Sequence, residues 1–139
     1  MNFEKYINLL YRHKGRDFLG VDCWGLVYLV YKEEKNLLIP DFTELQYTPV
    51  LKEDSPDLIP TILDKYNNKI IQEVKEPNRV LDIIIFYGGC GNFSVANHVG
   101  LFIGDGRFLH STSSSGSEVD RLLGYYQQKI YKTLRYKDC

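Results

Sequence analysis

The feature that most constrains the fold is a change of hydrophobic pattern near residue 69. Before it, apolar residues recur at helical spacing; after it, they form short β-type runs separated by turn clusters such as EPNR and GGCGN. The predicted strands are Lys69–Val74, Val80–Tyr87, Asn97–Ile103, Arg107–Thr112 and Ile130–Tyr136. Helices followed by an antiparallel sheet of about five strands predict an α+β fold.

The length of the chain suits one domain. It has 139 residues, and a chain of this size buries roughly two thirds of its unfolded surface, which is enough for an independent core. No repeat, low-complexity tract or linker divides it. We therefore treat residues 1–139 as a single domain.

Charge and hydropathy exclude several classes of protein. The formal net charge is -1 with both signs mixed, whereas a nucleic-acid binder would show a basic stripe. No window approaches the roughly 18 apolar residues of a membrane span. The N-terminal stretch MNFEKYINLLYRHKG lacks the apolar region of a secretory signal, so we expect synthesis in the cytoplasm.

The cysteines predict neither a disulfide framework nor a zinc ribbon. They are three in number, Cys23, Cys90 and Cys139, and form no CxxC pair. A metal site from Cys90, His98 and His110 is a remote alternative, because no pair among them has a zinc-type spacing. We expect no metal and no cofactor.

Three helices are predicted in the first half of the chain. The first has Asn2 as a possible N-cap and carries apolar residues at helical spacing: Phe3, Tyr6, Ile7, Leu10 and Tyr11. The second has Asp22 as N-cap and runs from Cys23 to about Lys35, apolar nearly all round. The third is indicated by the apolar residues between positions 58 and 66.

Cys23 is the candidate nucleophile because of its place at the start of the second helix. A thiol attacks only as thiolate, and its ordinary pKa of roughly 8.5 is too high at neutral pH. The unpaired N–H groups of a helix N-terminus, with an imidazolium nearby, can lower that pKa. The alternative is that Cys23 is a small buried hydrophobic residue at a helix start.

Two of the three histidines flank one predicted hairpin, NHVGLFIGDGRFLHS. A two-residue loop at Asp105–Gly106 would pair His110 with Leu101 and put the two imidazoles on opposite faces. An odd-numbered loop, with Gly106 in the left-handed region, or a bulge would pair His110 with Gly100 and bring His98 and His110 onto one face.

The three-residue form of that loop would also pair Ile103 with Arg107. A catalytic function therefore predicts an odd-numbered loop or a bulge, although the Asp-Gly dipeptide alone favours the two-residue turn. The alternative is that the two histidines are unrelated surface or core residues.

These motifs together resemble the NlpC-type cysteine peptidases, which are papain-like hydrolases of bacterial cell-wall peptides. The resemblance covers roughly residues 6 to 136 and rests on the block VDCWGLV, on HVGLFIGDGRFLH, and on Tyr11 followed by Gly15 and Gly20. The separation from Tyr11 to Cys23 equals that from His98 to His110, as the family pattern expects.

The resemblance implies a Cys-His-His triad acting on an amide bond. Cys23 would be the nucleophile, His98 the general base and His110 the group that orients His98. Tyr11 would help to line the oxyanion hole, with the backbone N–H of Cys23 as another donor. The substrate implied is a peptidoglycan stem peptide, with the exact bond left open.

Two residues beside the nucleophile are candidates for substrate binding. Asp22 could bind a substrate ammonium group, and N-capping explains this residue equally well. Trp24 stands where the family more often has a small polar residue, at a position that helps to read the amino end of the peptide.

Within the family, the motif DCWG and the following segment LVYLVYKEEKNLLIPDF are most similar to tail-assembly peptidases of tailed bacteriophages. This implies a location in the virion tail, with tail-tip proteins as partners. The alternative function is a tail-tip structural protein that keeps the fold without activity, and a third is an amidase or acyl transferase on the same scaffold.

Overall fold

A six-stranded antiparallel sheet forms the main part of the fold in this computed structural model, which describes residues 1–43, 71–88 and 95–136. Its strands lie in the order β3-β8-β4-β5-β6-β7. Two further strands of two residues each, β1 and β2, form a separate hairpin. The elements are β1 (Arg16–Asp17), β2 (Gly20–Val21), α1 (Cys23–Lys35), β3 (Ile71–Val74), β4 (Ile83–Gly88), β5 (Val95–Gly104), β6 (Arg107–Thr112), β7 (Gly116–Arg121), α2 (Tyr125–Gln128) and β8 (Ile130–Tyr136). The α+β prediction is confirmed, with one strand more than expected.

Helix α1 has the predicted bounds because both of its ends are capped. The Asp22 carboxylate accepts the Gly25 N–H at 2.8 Å, and Asn36 closes the helix in the left-handed conformation with φ 50°. Lys32 and Lys35 lie in the last turn, where positive charge is favoured.

The predicted N-terminal helix is wrong. Only a single 3₁₀ turn, Glu4–Tyr6, forms there, with the Asn2 side chain accepting the Glu4 N–H at 2.9 Å. Asn8 then turns to φ 67°, and its N–H donates to the Ser117 carbonyl at 2.9 Å. Pairing with the edge strand β7 replaces the helical hydrogen bonds, so tertiary contacts override the local apolar spacing.

Two other predictions need comment. The helix expected between positions 58 and 66 lies outside the described residues. The strand predicted to begin at Val80 begins at Ile83, because Leu81 adopts φ 77° and interrupts the extended backbone. Strand β7 was not predicted at all.

The sheet buries apolar side chains on both faces. One face packs against α1 through residues that include Ile83, Ile85, Val99, Leu101 and Leu109. The other face carries a smaller cluster of Ile84, Phe86, Phe102 and Phe108, covered by Leu122, Tyr126 and Ile130. The two faces meet different partners, and the histidines of the hairpin belong to the second.

Neither α1 nor α2, the two helices in the described part of the chain, combines the length and apolar character that a membrane crossing needs.

Candidate active site

The first residue of α1 is Cys23, and its position is fixed by the buried carboxylate before it. Asp22 is 2% exposed and caps the helix through Gly25. It also accepts the Lys14 N–H at 2.9 Å and forms an ion pair with Arg16 at 2.7 Å. The loop, the small hairpin and the helix start are thus joined at one side chain.

Close backbone packing at the helix start requires glycine. A Cβ on Gly25 would lie 1.8 Å from the Gly15 carbonyl oxygen, and a Cβ on Gly15 would lie 2.2 Å from the Gly20 oxygen. Three glycines therefore allow the loop to lie directly against the first turn of α1, which holds Cys23 in place.

Two contacts bring the helix start to the histidine hairpin. The backbone N–H of Val99, which belongs to the peptide bond joining it to His98, is a hydrogen-bond donor to the Cys23 sulfur, as is the N–H of Trp24. The Ser111 hydroxyl, next to His110, donates to the Val21 carbonyl at 2.9 Å. Segments distant in sequence therefore meet at the start of α1, while contact between the Cys23 sulfur and the His98 imidazole stays a prediction.

The pKa of the Cys23 thiol moves in the opposite direction from the sequence-based expectation. Burial raises the pKa of Cys23 to about 12, and the Asp22 carboxylate acts in the same direction. The N–H groups of Val99 and Trp24 and the charge of Arg16 lower it but are outweighed. The helix N-terminus helps, as expected, but the adjacent buried carboxylate opposes it.

Tyr11 shares the surroundings of the thiol. It lies beside β2 through a bridge with Val21, and burial raises the pKa of its hydroxyl, followed by the charges of Cys23 and Asp22. Its hydroxyl therefore remains protonated as a donor near the sulfur, which is what the predicted oxyanion role requires.

A bulge in the hairpin places His98 and His110 on one face of the sheet. Asp105 and Gly106 form a two-residue turn with φ 53° and 67°, as in the turns that the Asp-Gly dipeptide favours. The register then shifts between Phe102 and Gly104, so that Gly100 pairs with His110. The prediction of a bulge is confirmed.

The predicted pairing of Ile103 with Arg107 is wrong. Gly104 takes that place beside the two-residue turn, because the extra residue is absorbed in β5 rather than in the loop.

The imidazoles of His98 and His110 lie in direct contact. His98 Nε2 and His110 Nδ1 are 2.8 Å apart, and His110 Nε2 lies 2.7 Å from the Asp120 carboxylate. His110 is fully buried, whereas the Asp120 side chain is 34% exposed. The structure therefore shows a continuous chain of three hydrogen-bonding groups.

The sequence analysis missed Asp120. It lies on the unpredicted strand β7, where Phe108 pairs with Asp120 and His110 with Glu118. The available signal was the spacing of Glu118 and Asp120, which places both on one face of any strand formed by GSEVDR. That segment is too polar to be recognised as a strand.

The surroundings of the histidines are apolar. Phe86 lies 5.9 Å from His98 between ring centres, and Phe108 and Tyr126 lie 4.5 and 5.5 Å from His110. Burial lowers the pKa of His98 to about 3, and the neighbouring His110 contributes in the same direction. The neutral imidazole, which is the form of a general base, is thus favoured at His98.

Both predicted substrate-binding residues make internal contacts. Asp22 is the N-cap described above, and Trp24, also 2% exposed, donates from its indole nitrogen to the Pro40 carbonyl at 2.8 Å. The Trp24 ring packs 5.4 Å from that of Phe42. Direct substrate contact by either side chain stays a prediction.

One group of potential metal ligands occurs in residues 1–43, 71–88 and 95–136. His110, Glu118 and Asp120 hold three donor atoms within 4.8 Å of one another. These atoms already form the hydrogen bond with Asp120 and a 3.9 Å contact with Glu118. Cys90, part of the alternative metal site, lies outside the described residues.

Comparison with known proteins agrees with the geometry. Murein DD-endopeptidase MepS/Murein LD-carboxypeptidase of Escherichia coli K12 is 27% identical over 126 residues, covering 90% of this chain and 54% of that protein. Probable endopeptidase NlpC of the same strain is 26% identical, covering 87% of this chain and 64% of that protein. The chain thus spans between half and two thirds of the length of these curated relatives.

Solved structures of other proteins have a similar fold. The crystal structure of an NlpC/P60 family protein from Bacillus cereus ATCC 10987 matches with a TM-score of 0.63 and 26% identity, over 94% of this chain and 36% of that one. The fold is therefore papain-like. The sequence model of the NlpC/P60 family matches residues 8–135, nearly the whole sequence. The chain therefore belongs to the NlpC/P60 family.

Proposed function

We propose that this chain is a cysteine endopeptidase that hydrolyses amide bonds in the stem peptides of bacterial peptidoglycan. The observation that carries the proposal is the convergence of the Cys23 sulfur with the peptide bond joining His98 to Val99, at the head of the His98–His110–Asp120 chain. Relatives with the printed names murein endopeptidase and probable endopeptidase support the substrate class.

The proposed reaction begins with a proton transfer. His98 Nε2 is occupied by His110, so Nδ1 is the ring nitrogen that accepts the thiol proton. The sulfur then forms a bond to the amide carbonyl carbon. Burial opposes either charge alone, but an adjacent thiolate and imidazolium carry no net charge together and stabilise each other, so transfer between them costs less than separate ionisation.

The second half of the reaction returns the proton. The imidazolium of His98 protonates the leaving amine as the carbon–nitrogen bond breaks, which leaves a thioester on Cys23. Water, deprotonated by His98, then adds to the thioester. The carbon–sulfur bond breaks, the Cys23 sulfur takes the proton back from His98, and a free carboxylic acid is released. Tyr11 and the backbone N–H of Cys23 would stabilise the oxyanions, at about 3–4 kcal/mol for each donor.

We further infer that the protein acts at the tail tip of a bacteriophage. The support is the resemblance of the DCWG block and its continuation to tail-assembly peptidases. The test is to purify particles from a lysate of the source strain on a density gradient and probe each fraction with an antibody. Signal in the particle fractions is expected; its confinement to soluble fractions would contradict the location.

One observation favours the second candidate, a tail-tip structural protein without activity. The raised pKa of Cys23 means that the isolated thiol is a weak nucleophile at neutral pH. Iodoacetamide labelling with mass analysis separates the candidates. A peptidase should alkylate faster at Cys23 than at Cys90 and Cys139, whereas equal rates at the three thiols would favour the structural protein.

Digestion of purified peptidoglycan tests the proposed activity directly. The wild-type protein should release muropeptides with newly exposed amino and carboxyl ends, and mass analysis of the fragments identifies the bond. Cys23→Ala should release none. Cys90→Ala is the matched control, since its thiol is not assigned to the site, and it should cleave like wild type. Equal release by wild type and Cys23→Ala would overturn the proposal.

A further inference from the structure

The buried imidazole of His110 has one partner for each ring nitrogen. Nδ1 faces His98 at 2.8 Å and Nε2 faces Asp120 at 2.7 Å, and the side chain is not exposed to solvent. Because solvent does not reach the buried His110 ring, its two hydrogen-bond partners decide which ring nitrogen carries the proton.

We propose that Asp120 is a positioning residue that sets the tautomer of both histidines and so leaves His98 Nδ1 free to act as the base. A carboxylate only accepts hydrogen bonds, which places the proton of neutral His110 on Nε2. His110 Nδ1 is then an acceptor, and His98 must donate to it from Nε2. The lone pair of His98 is left on Nδ1.

Without Asp120 the opposite arrangement becomes available. His110 could carry its proton on Nδ1 and donate to His98 Nε2, which would leave the His98 proton on Nδ1. His98 would then present a donor rather than a lone pair and could not take the thiol proton. The inference rests on the proposed function for its catalytic meaning but not for the tautomers themselves.

The geometry favours Asp120 over Glu118 for this role. Both lie on β7 and face His110, but Glu118 is 3.9 Å from Nε2 and Asp120 is 2.7 Å. Only the second distance is a hydrogen bond. Glu118, with its side chain 40% exposed, therefore supplies a matched control of equal charge on the same strand.

Nitrogen-15 NMR of histidine-labelled protein tests the tautomers directly. Two-bond hydrogen–nitrogen correlations distinguish a protonated ring nitrogen from a bare one, and the three histidines are assigned with single substitutions. We expect Nε2 to be protonated and Nδ1 bare in both His98 and His110. A proton on Nδ1 of His98, or a doubly protonated His110, would overturn the proposal.

Two variants test the cause. Asp120→Asn can present an NH₂ group as well as an oxygen, and Asp120→Ala presents neither, so both should show mixed or reversed tautomers at His98 and His110. Glu118→Gln should keep the wild-type pattern. Unchanged tautomers in both Asp120 variants, or an equal change in Glu118→Gln, would overturn the proposal. Asp120 is partly exposed, so we expect all three variants to fold.

A second readout must agree with the spectra. Iodoacetamide alkylation of Cys23 at neutral pH should slow by at least about tenfold in Asp120→Asn. Loss of the carboxylate that bonds the base directly in a serine-protease triad costs about 10⁴ in kcat, and Asp120 acts one residue further from the base, through His110. Glu118→Gln should alkylate like wild type; an unchanged rate in Asp120→Asn would count against the proposal. Neither readout uses peptidoglycan, so a wild type that fails to cleave it would overturn the proposed function alone.

Discussion

Two ionisable clusters packed against the same sheet differ in how strongly hydrogen bonds and opposite charges offset the effect of burial. At the start of β4, Asp82 is 1% exposed and receives two hydrogen bonds from Arg135 at 2.8 Å and the N–H groups of Asn78 and Arg79 at 3.0 Å. Burial raises the pKa of Asp82, but the hydrogen bonds from Arg135 and from the two backbone groups outweigh it and hold the pKa below its usual value.

In the second cluster, at Cys23 and His98, compensation is too weak to outweigh burial, and we call it the uncompensated cluster. Burial is the first cause of both pKa shifts there, and in both residues it favours the neutral form. The first cluster therefore contributes to stability and the second to the proposed reaction. A fully paired carboxylate stabilises the fold, whereas the proposed reaction needs a neutral thiol and a neutral imidazole that exchange a proton.

The largest expected effect is on the uncompensated cluster. His98→Ala removes the proposed general base, so kcat/KM on peptidoglycan fragments should fall by at least about 10³. His13→Ala is the control at a histidine that has no role in the proposed reaction, and it should keep activity per folded molecule. Steady-state kinetics normalised to the folded fraction measure both, and a fall of less than tenfold in His98→Ala would contradict the comparison.

The compensated cluster should respond in stability instead. Arg135→Met leaves Asp82 buried without its counter-charge, so the free energy of unfolding should fall by about 3–5 kcal/mol. Lys132→Met on the same strand is the control. Lys132 forms a 3.4 Å pair with Glu73, whose side chain is 58% exposed, and its ammonium lies 5.4 Å from the centre of the Tyr131 ring, so this substitution should cost at most about 1 kcal/mol.

Urea unfolding measures the stability of both variants, and iodoacetamide labelling measures the site. Arg135→Met should alkylate at Cys23 within about twofold of wild type under native conditions, because the Arg135 guanidinium hydrogen-bonds to Asp82 and Asn78, which are not assigned to the site. Equal losses of stability in Arg135→Met and Lys132→Met would show that the buried pair is not compensated as described.

A pH series separates the charge of Asp82 from its packing. Its pKa in the folded state lies below the roughly 3.9 of an unfolded aspartate, so its stabilisation is complete above that unfolded value and is lost as the pH falls through the folded one. The stability difference between wild type and Asp82→Asn should therefore shrink in acid. A difference that stays constant from neutral pH to about pH 2 would contradict this.

The parts of the fold that local chemistry determines could be predicted from the sequence. Helix α1 begins at Cys23 because Asp22 is a capping residue followed by an apolar run, and both signals lie within a few positions. The shared face of His98 and His110 required an additional functional argument, because the turn dipeptide alone would have separated the two rings.

Long-range pairing determines the parts that could not be predicted. Residues 8–9 leave helical geometry to pair with Ser117, a contact more than a hundred positions away. Strand β7 is polar and is recognised only by its pairing with β6, so Asp120 was missed with it. The pKa of Cys23 likewise depends on burial in the folded chain, which no local spacing reveals.

The smallest effect is expected at Gly100, which lies opposite His110 and tests how tightly the uncompensated cluster is packed. A Cβ there would lie 3.0 Å from the Phe108 ring and 3.3 Å from the His110 Cβ. Gly100→Ala should therefore shift His110 by a few tenths of an ångström and lower kcat/KM by about tenfold, because a misplacement of 1 Å can cost about a hundredfold. Gly106→Ala is the control at the hairpin turn. Among the described residues nothing lies within 4 Å of a Cβ there, so its strain at φ 67° should lower stability and leave kcat/KM unchanged. If both variants lose only stability, the imidazole chain tolerates displacement, and its hydrogen bonds are not the sensitive part of the site.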